Sequence, residues 1–455
     1  MELPSTSVAE ILADRIAAHD ARRLPPAVRA RCEDLVIDIV GICIAARRTD
    51  YVAAALAGWE EDGGCTAFGH QRRLSAAGAA AVNGIAAHGE DFDDTFEGGP
   101  VHAGAVIVPA VLAACERERR DGIAALRGIA VGVETMCRLS LVAPKAVHRA
   151  GFHPTAVFGA MASAAAVSAT LGLERRQIVD ALGIAGSMAG GIIEYLAEGT
   201  WTKRLHPGWA AQSGLRAARL ARSGFIGPRT VFEGTHGLFN GFARRADGDY
   251  AALVGDFGQR WVAATIAFKP YACGTMTHPY IDCARRLVRR GVAIDDIAEI
   301  VCEVAEGTVH RLWEPLAAKR RPPNGYAAKF STPYCIAAGF VLDGAGLEAF
   351  DDAIVGDPRL LSLAAKVRYE IDPANPYPNS YTGHMRLRLN DGSTIEERQP
   401  HLRGGASEPL SRADIVEKFA RNATYGGWTR AKTDATLAAI GGLFEGPVEL
   451  APLRG

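Results

Sequence analysis

From residue 6 to about residue 265, apolar residues recur at helical spacing, and most of them are alanine or glycine. The segments VAEILADRIAAH and AVRARCEDLVIDIVGICIAA set the pattern. Side chains of one carbon or none let helix backbones approach closely, so this spacing predicts a tightly packed helical domain. The texture changes after Lys269. Strand-like stretches appear at 297–307, 365–372 and 385–398, the last alternating around an Asn-Asp-Gly-Ser turn that signals a hairpin. Helical runs at 279–290, 327–342 and 355–365 lie among them, and the tail returns to helix. The expected fold class is mainly α: a large all-helical domain from 1–268 and 400–455, plus a smaller α+β lid domain at 269–399. A domain inserted between two parts of another is well placed to move as a lid.

Composition narrows the partners. A length of 455 residues is too much for one simple core, which agrees with two domains. The net charge of −1 offers no basic surplus for nucleic acid and no acidic tail for a charged partner. The start, MELPSTSVAEILADRIAAHD, lacks a basic region and a long apolar stretch, so no signal peptide is expected. Nowhere do 18 apolar residues run without a charge or break, so no membrane association is expected. The nine cysteines are dispersed without a CxxC pair. That pattern argues against an iron–sulfur or structural zinc site and fits the reducing cytoplasm.

Three histidines directly precede prolines: His153-Pro154, His206-Pro207 and His278-Pro279. Chance predicts about 0.6 such pairs for this composition. Each is followed by a helical run rich in small residues, and proline is favoured at the first helical position. Each histidine is therefore expected beside a helix N-terminus, where free N–H groups and the macrodipole favour anions. Lys203 and Lys269 lie close in sequence to His206 and His278. Several such helix starts around one cleft would hold a small, multiply charged anion.

The stretch HGEDFDDTFEGGPVHAG gathers acidic, hydroxyl and imidazole groups suited to proton transfer. If the helix before it continues through residue 95, then His88, Asp91 and Thr95 share one face, while Asp93 and Asp94 point elsewhere. A Gly-Gly-Pro loop then brings His102 before another apolar helix. DFDDT also matches the D-x-D-x-T of haloacid-dehalogenase phosphatases, but here it follows an Ala-rich helical run and not an apolar strand. An aspartate-rich helix would also suit a terpenoid synthase, but no second metal-binding motif accompanies it. Within the run 122–143, Glu134 and Arg138 stand four apart on one face of a buried helix and are expected to pair.

Taken together, IDIVGICIAA, HGEDFDDT with VHAG, GFHPTAVFGAMASAAA, GTWTKRLHPGWAAQSGLRAARLARSGFIGPRTVFEG, KPYACGTMTHPYIDCARRL and AKFSTPYCIAAG resemble the MmgE/PrpD family nearly end to end. That family includes 2-methylcitrate dehydratase, cis-aconitate decarboxylase and iminodisuccinate epimerase. The resemblance implies a helical domain with an α+β lid, a homodimer, and no metal or organic cofactor. Its active-site pattern falls on Asp91, Thr95, His102, His153, Lys203 and Lys269, with His206 and His278 in the same motifs. Two departures stand out. His102-Ala103-Gly104 replaces the family's His-Pro-Gly, and Gly274-Thr275-Met276 stands where many members carry bulkier polar or basic groups. Thr275 and its neighbours are expected to face the substrate.

The resemblance implies a lyase acting on a small di- or tricarboxylate, with an aminodicarboxylate epimerase as the alternative and an inactive binding protein as a second. All the family's reactions place negative charge on a carbon beside a carboxylate, so preorganised positive groups should supply most of the catalytic stabilisation. Lys203, Lys269 and the helix starts would hold carboxylates. His153 or His102 would move the proton, with Asp91 as a second acid/base or an orienting group and Thr95 bonding to either.

Overall fold

Ser7 opens the first helix, Val8–Ala18. Its hydroxyl accepts from the Glu10 amide while the Glu10 carboxylate accepts from the Ser7 amide, forming a capping box. This computed structural model describes residues 6–245 and 247–455. Residues 1–5, the start of the stretch read for a signal sequence, lie outside the described residues. The chain divides into two units. One comprises the chain through Gly89, Asp93–Ile266 and Arg412–Gly455; the other comprises Glu90–Phe92 and Ala267–Ser411.

The first unit is a helical assembly built around Pro154–Leu171. That helix packs on Gly104–Glu118, Gly122–Val142, Arg175–Met188 and Thr202–Arg222. By length and composition Pro154–Leu171 could cross a membrane, which departs from the expectation that no such run exists. It is, however, 94% buried inside the protein, as the core helix of a packed bundle is. The small residues act as the sequence predicts. The helices Ala76–His88 and Thr202–Arg222 cross so closely that a Cβ on Gly84 would lie 2.6 Å from the Gly208 Cα. A Cβ on Gly208 would lie 2.1 Å from the Ala81 carbonyl oxygen, so only glycine fits there. The C-terminal helix Arg412–Tyr425 lies against Pro26–Ala46, where Lys418 reaches the buried Asp38 at 2.7 Å.

The expected Glu134–Arg138 pair forms in the interior of Gly122–Val142. Arg138 also donates to the carbonyls of Ala252 and Arg260, at 2.9 and 2.7 Å, and Glu134 accepts from the Ala263 amide at 2.8 Å. The pair thus ties Gly122–Val142 to the backbone of the segment 252–263. One short hairpin, Asp62–Thr66 with Arg73–Leu74, interrupts the helical span and had no alternating signal to announce it.

The second unit is α+β. Its four-stranded sheet runs in the order Val367–Ile371, Ile297–Val304, Gly383–Leu389, Thr394–Gln399; the first pair is parallel and the others antiparallel. The Asn-Asp-Gly-Ser turn joins the last two strands, with Gly392 at φ +87°. The helix His278–Arg289 covers the last two strands, and Thr332–Val341 packs on that helix. The strand expected to reach residue 307 ends at Val304, because the chain turns into the helix Glu306–Leu312.

Two histidines of the first unit give the fold a pH dependence. Burial, then the charge of Arg127, lowers His19 from its ordinary value of 6.5 to about 4. Burial, then Arg47, does the same to His70. In both, the ring Nε2 is buried without a hydrogen-bond partner among the described residues. The unfolded chain therefore binds more protons than the folded one between about pH 6.5 and pH 4. Stability should be fully present above that window and decline as the pH falls through it. The Tm, followed by circular dichroism, should drop across the window, and His70→Gln should make the drop shallower. An equally steep drop in the variant would remove His70 from the account.

Candidate active site

The helix Ala76–His88 stops where its periodicity meets Gly89. It does not continue through residue 95, which corrects the shared face expected for His88, Asp91 and Thr95. A Cβ on Gly89 would lie 2.2 Å from the Tyr51 ring, so glycine is required there, and Asp91 turns the chain with φ +55°. The consequence is a different use of the acidic residues. Asp93, expected to point away, accepts at Oδ2 from His88 Nδ1–H at 2.7 Å and lies 3.4 Å from His102 Nδ1. Asp94 caps the helix Gly104–Glu118, accepting from the amides of Ala103 and Gly104 at 3.1 and 2.8 Å. Here the departure from His-Pro-Gly acquires a physical meaning, because a proline at 103 would have no N–H to give Asp94. Burial, then Asp93 and Asp38, holds the Asp94 carboxyl well above the usual range.

His102 stands just before that helix. Its Nδ1 lies 2.8 Å from the Asp94 carbonyl oxygen, which can only accept. Nδ1 therefore carries a proton. Its backbone amide donates to Thr155 Oγ1 at 3.3 Å. The His88 ring packs edge-on against His102, with centroids 4.8 Å apart, and lies 5.7 Å from the His153 ring. His88 Nε2 is buried with no hydrogen-bond partner among the described residues. Thr95 is buried in the two-residue strand Thr95–Phe96 that follows Asp94.

His153 is the N-cap residue of Pro154–Leu171, and Pro154 occupies the first turn, as the His-Pro spacing predicts. Its backbone amide donates to the Gly191 carbonyl at 2.8 Å, and its Nδ1 lies 3.1 Å from His206 Nδ1, so one ring donates to the other. Tyr195 packs against both rings. Burial, then the charges of His88, His206, Lys203 and His102, pushes His153 well below its ordinary value. Burial, then His88 and Lys203, brings His206 to about 4. Both rings are thus neutral at neutral pH.

His206 is not at a helix start. The helix Thr202–Arg222 begins four residues earlier and carries Pro207 in its interior, which corrects the second of the three His-Pro expectations. It is Lys203 that sits in the first turn, half-buried, with His206 one turn further on.

In the second unit, Lys269 is buried and donates to both the carbonyl and the carboxylate of Asp91, at 2.8 and 3.0 Å. Its third N–H has no protein acceptor among the described residues. Lys329 treats the preceding residue in the same way, donating to the Glu90 carbonyl and carboxylate at 2.8 and 3.0 Å. His278 opens His278–Arg289 and lies in the interior, where Nε2–H donates to the Cys273 carbonyl at 3.2 Å. That bond braces its own loop. Thr275 is half-buried in the single turn before that helix.

Sequence reasoning left out Asp93, Asp94 and Lys329 and placed His88 on the wrong geometry. Gly89, a helix stop directly after the periodic run, was the available signal for the contacts of His88, Asp93 and Asp94. Lys329 stands in the AKFSTPYC stretch with nothing local to mark its role. His88, Asp93 and His102 could also hold a metal ion, since their donor atoms lie within 4.8 Å of one another. Both imidazole Nδ1 atoms are already engaged as donors, to Asp93 and to the Asp94 carbonyl, so an ion there would be held through Nε2 or would have to break those bonds.

The MmgE/PrpD N-terminal domain matches residues 10–251, and the MmgE/PrpD C-terminal domain matches residues 271–439. Cis-aconitate decarboxylase of Homo sapiens is 32% identical over 365 residues, covering 77% of this chain and 73% of its own. The Mus musculus enzyme of that name is 30% identical over 433 residues, covering 92% and 87%. A cis-aconitate decarboxylase-like protein of Aspergillus oryzae is 28% identical over 425 residues, covering 88% and 87%. Two family domains that between them span most of the sequence, and relatives aligned across most of their length, establish that the chain belongs to the MmgE/PrpD family.

Proposed function

We propose that this protein is a cofactor-independent carboxy-lyase that decarboxylates cis-aconitate or a close structural relative. The observation that carries the reading is the near end-to-end similarity to cis-aconitate decarboxylases. The neutral His153 and His206 of the first unit, beside Lys203, suit the chemistry. In cis-aconitate the CH2–COO⁻ arm lies beside a C=C bond. The C–C bond to that carboxylate breaks, and its electron pair becomes a new C=C bond. The old π pair moves to the carbon next to another carboxylate, which takes one proton. CO2 and 2-methylenesuccinate leave, so atoms and charge balance with a single proton donor.

Lys203, in the first turn of its helix, is assigned to hold a substrate carboxylate, with the helix N-terminus adding its partial charge. Lys269 has the same role through its third N–H. His102 exchanges the proton at Nε2, since Nδ1–H is committed to the Asp94 carbonyl. His153 and His206, held neutral, donate or accept hydrogen bonds without adding charge. Asp91 orients Lys269, and Thr95 serves as a hydroxyl partner. His278 and Thr275 belong to the loop assigned to substrate selection. No metal is required, and the protein works in the cytoplasm.

The reading is tested by NMR in D2O with cis-aconitate and EDTA present. Turnover should continue in the chelator and give CO2 with one deuterium on the methylene beside the product carboxylate. Deuterium exchange without CO2, or turnover of an aminodicarboxylate instead, would favour the epimerase reading. No reaction with any polycarboxylate would favour a binding protein.

Lys203→Ala and Lys269→Met should each raise KM and lower kcat while the far-ultraviolet spectrum is unchanged. Each change should cost about 2–4 kcal/mol of transition-state stabilisation. Wild-type kinetics in either variant would remove that lysine from the reaction.

The expected homodimer draws support from one face of Thr202–Arg222 and its cap. Trp201, Leu205 and Trp209 recur every four residues and are 49%, 41% and 49% exposed. Large apolar side chains in such a stripe mark an association surface. Light scattering should give twice the chain mass, and Leu205→Glu with Trp209→Glu should give the chain mass. A wild-type monomer would discard the proposal.

A further inference from the structure

Lys329 takes no part in the reaction described above, yet it is a buried cation in a stretch rich in small and apolar residues. A buried ammonium is tolerated only when paired and hydrogen-bonded. Lys329 finds both partners on one residue, the carbonyl oxygen and the carboxylate of Glu90. Lys269 repeats this on the next residue, Asp91, at the same two distances of 2.8 and 3.0 Å. Two lysines from different parts of the second unit thus grip consecutive residues of the segment Glu90–Phe92. The gripped segment is also strained, because Asp91 is a non-glycine residue at φ +55°. Such a conformation persists only where the surroundings over-determine it. Lys269 holds Asp91 by its own carbonyl and carboxylate. The bond from Lys329 to the Glu90 carbonyl fixes the peptide unit that enters Asp91, and so fixes the φ that Lys269 cannot set. The Lys329 ammonium lies 5.0 Å over the Phe350 ring, which limits its freedom further. The Lys329 carbonyl accepts from the Gly274 amide at 2.9 Å, so the same residue also steadies the loop that carries Thr275.

We propose that Lys329, acting through Glu90, is a positioning residue that holds Asp91 in the left-handed conformation in which it orients Lys269 for the reaction. The proposal rests on the assignment of Asp91 and Lys269 to that reaction. It separates from a merely structural ion pair by its kinetic signature. Lys329→Met should lower kcat on cis-aconitate by about 10- to 100-fold and leave KM within about threefold, since the lysine touches no substrate. Glu90→Gln, which keeps the backbone carbonyl, should lower it less. In an Asp91→Asn background, Lys329→Met should cost less than about threefold more, because both changes act on one group. Hydrogen exchange of a peptide covering 90–92 should accelerate in Lys329→Met, with no change in the Pro154–Leu171 helix.

The proposal is overturned if Lys329→Met has wild-type kcat. It is also overturned if its activity falls only in proportion to the folded fraction, or if the two losses multiply in the double variant. If Lys329→Met does not fold, Glu90→Gln carries the same kinetic and exchange tests, and wild-type values there overturn it. If the wild-type protein releases no CO2 from cis-aconitate, the functional reading fails on its own. The grip is then judged by exchange at 90–92 without substrate, and unchanged exchange rejects it.

Discussion

The crossing of two helices at Gly84 and Gly208 sets the geometry on which the candidate site depends. Gly84 lies one turn before His88, and Gly208 lies two residues after His206. With no Cβ on either residue, the two backbones meet within van der Waals distance. The third helix, Pro154–Leu171, packs against Thr202–Arg222 through alanine and serine and presents His153 at its start. Three imidazoles from three helices therefore converge because the helices carry little between them. A larger residue at either glycine would push the two helix axes apart. The alanine and glycine content is thus more than a packing preference, because it fixes distances between polar groups that lie far apart in sequence.

A second constraint works over a much shorter range. The five residues from Glu90 to Asp94 contain four carboxylates, and each has a different duty. Glu90 and Asp91 are held by Lys329 and Lys269. Asp93 accepts from His88, and Asp94 caps a helix. Carboxylates so close would repel one another if they shared a face. The positive φ at Asp91 sends successive side chains in different directions, and each then finds its own donors. The strain at one residue is offset by the pairing of four.

Much of the fold was legible because its signals are local. Helical spacing of small residues announced the first unit, and alternation around Asn-Asp-Gly-Ser announced the hairpin. The His153-Pro154 step marked a helix start because proline fits the first turn at no cost. The same rule failed at Pro207, where the first turn begins at Thr202 and the proline is carried inside. Local preference said where a helix could start and was silent on what lay upstream. The acidic stretch failed for another reason. Periodicity offers a face to every residue of a continued helix, but His88 and Asp93 are five apart and meet only if the helix ends. Gly89 stood at that point, required by the Tyr51 ring, which no sequence window of that size contains. Lys329 was illegible for the same reason, since its partner lies 239 residues away.

Charge is distributed in a way that limits the chemistry available. His153 and His206 are kept neutral by burial and by neighbouring cations, so they add no positive charge of their own. His102 has one nitrogen committed to a backbone carbonyl, so in the proposed reaction the other would exchange the proton. In the proposed reaction the stabilising positive charge would come from Lys203 and Lys269. In that reaction a proton would move on an imidazole while the charge that stabilises a carbanion stays on the ammonium groups. Separating the two tasks lets the stabilising field persist through the proton transfer. A site with only histidines would lose part of its positive charge at the moment the carbon receives its proton.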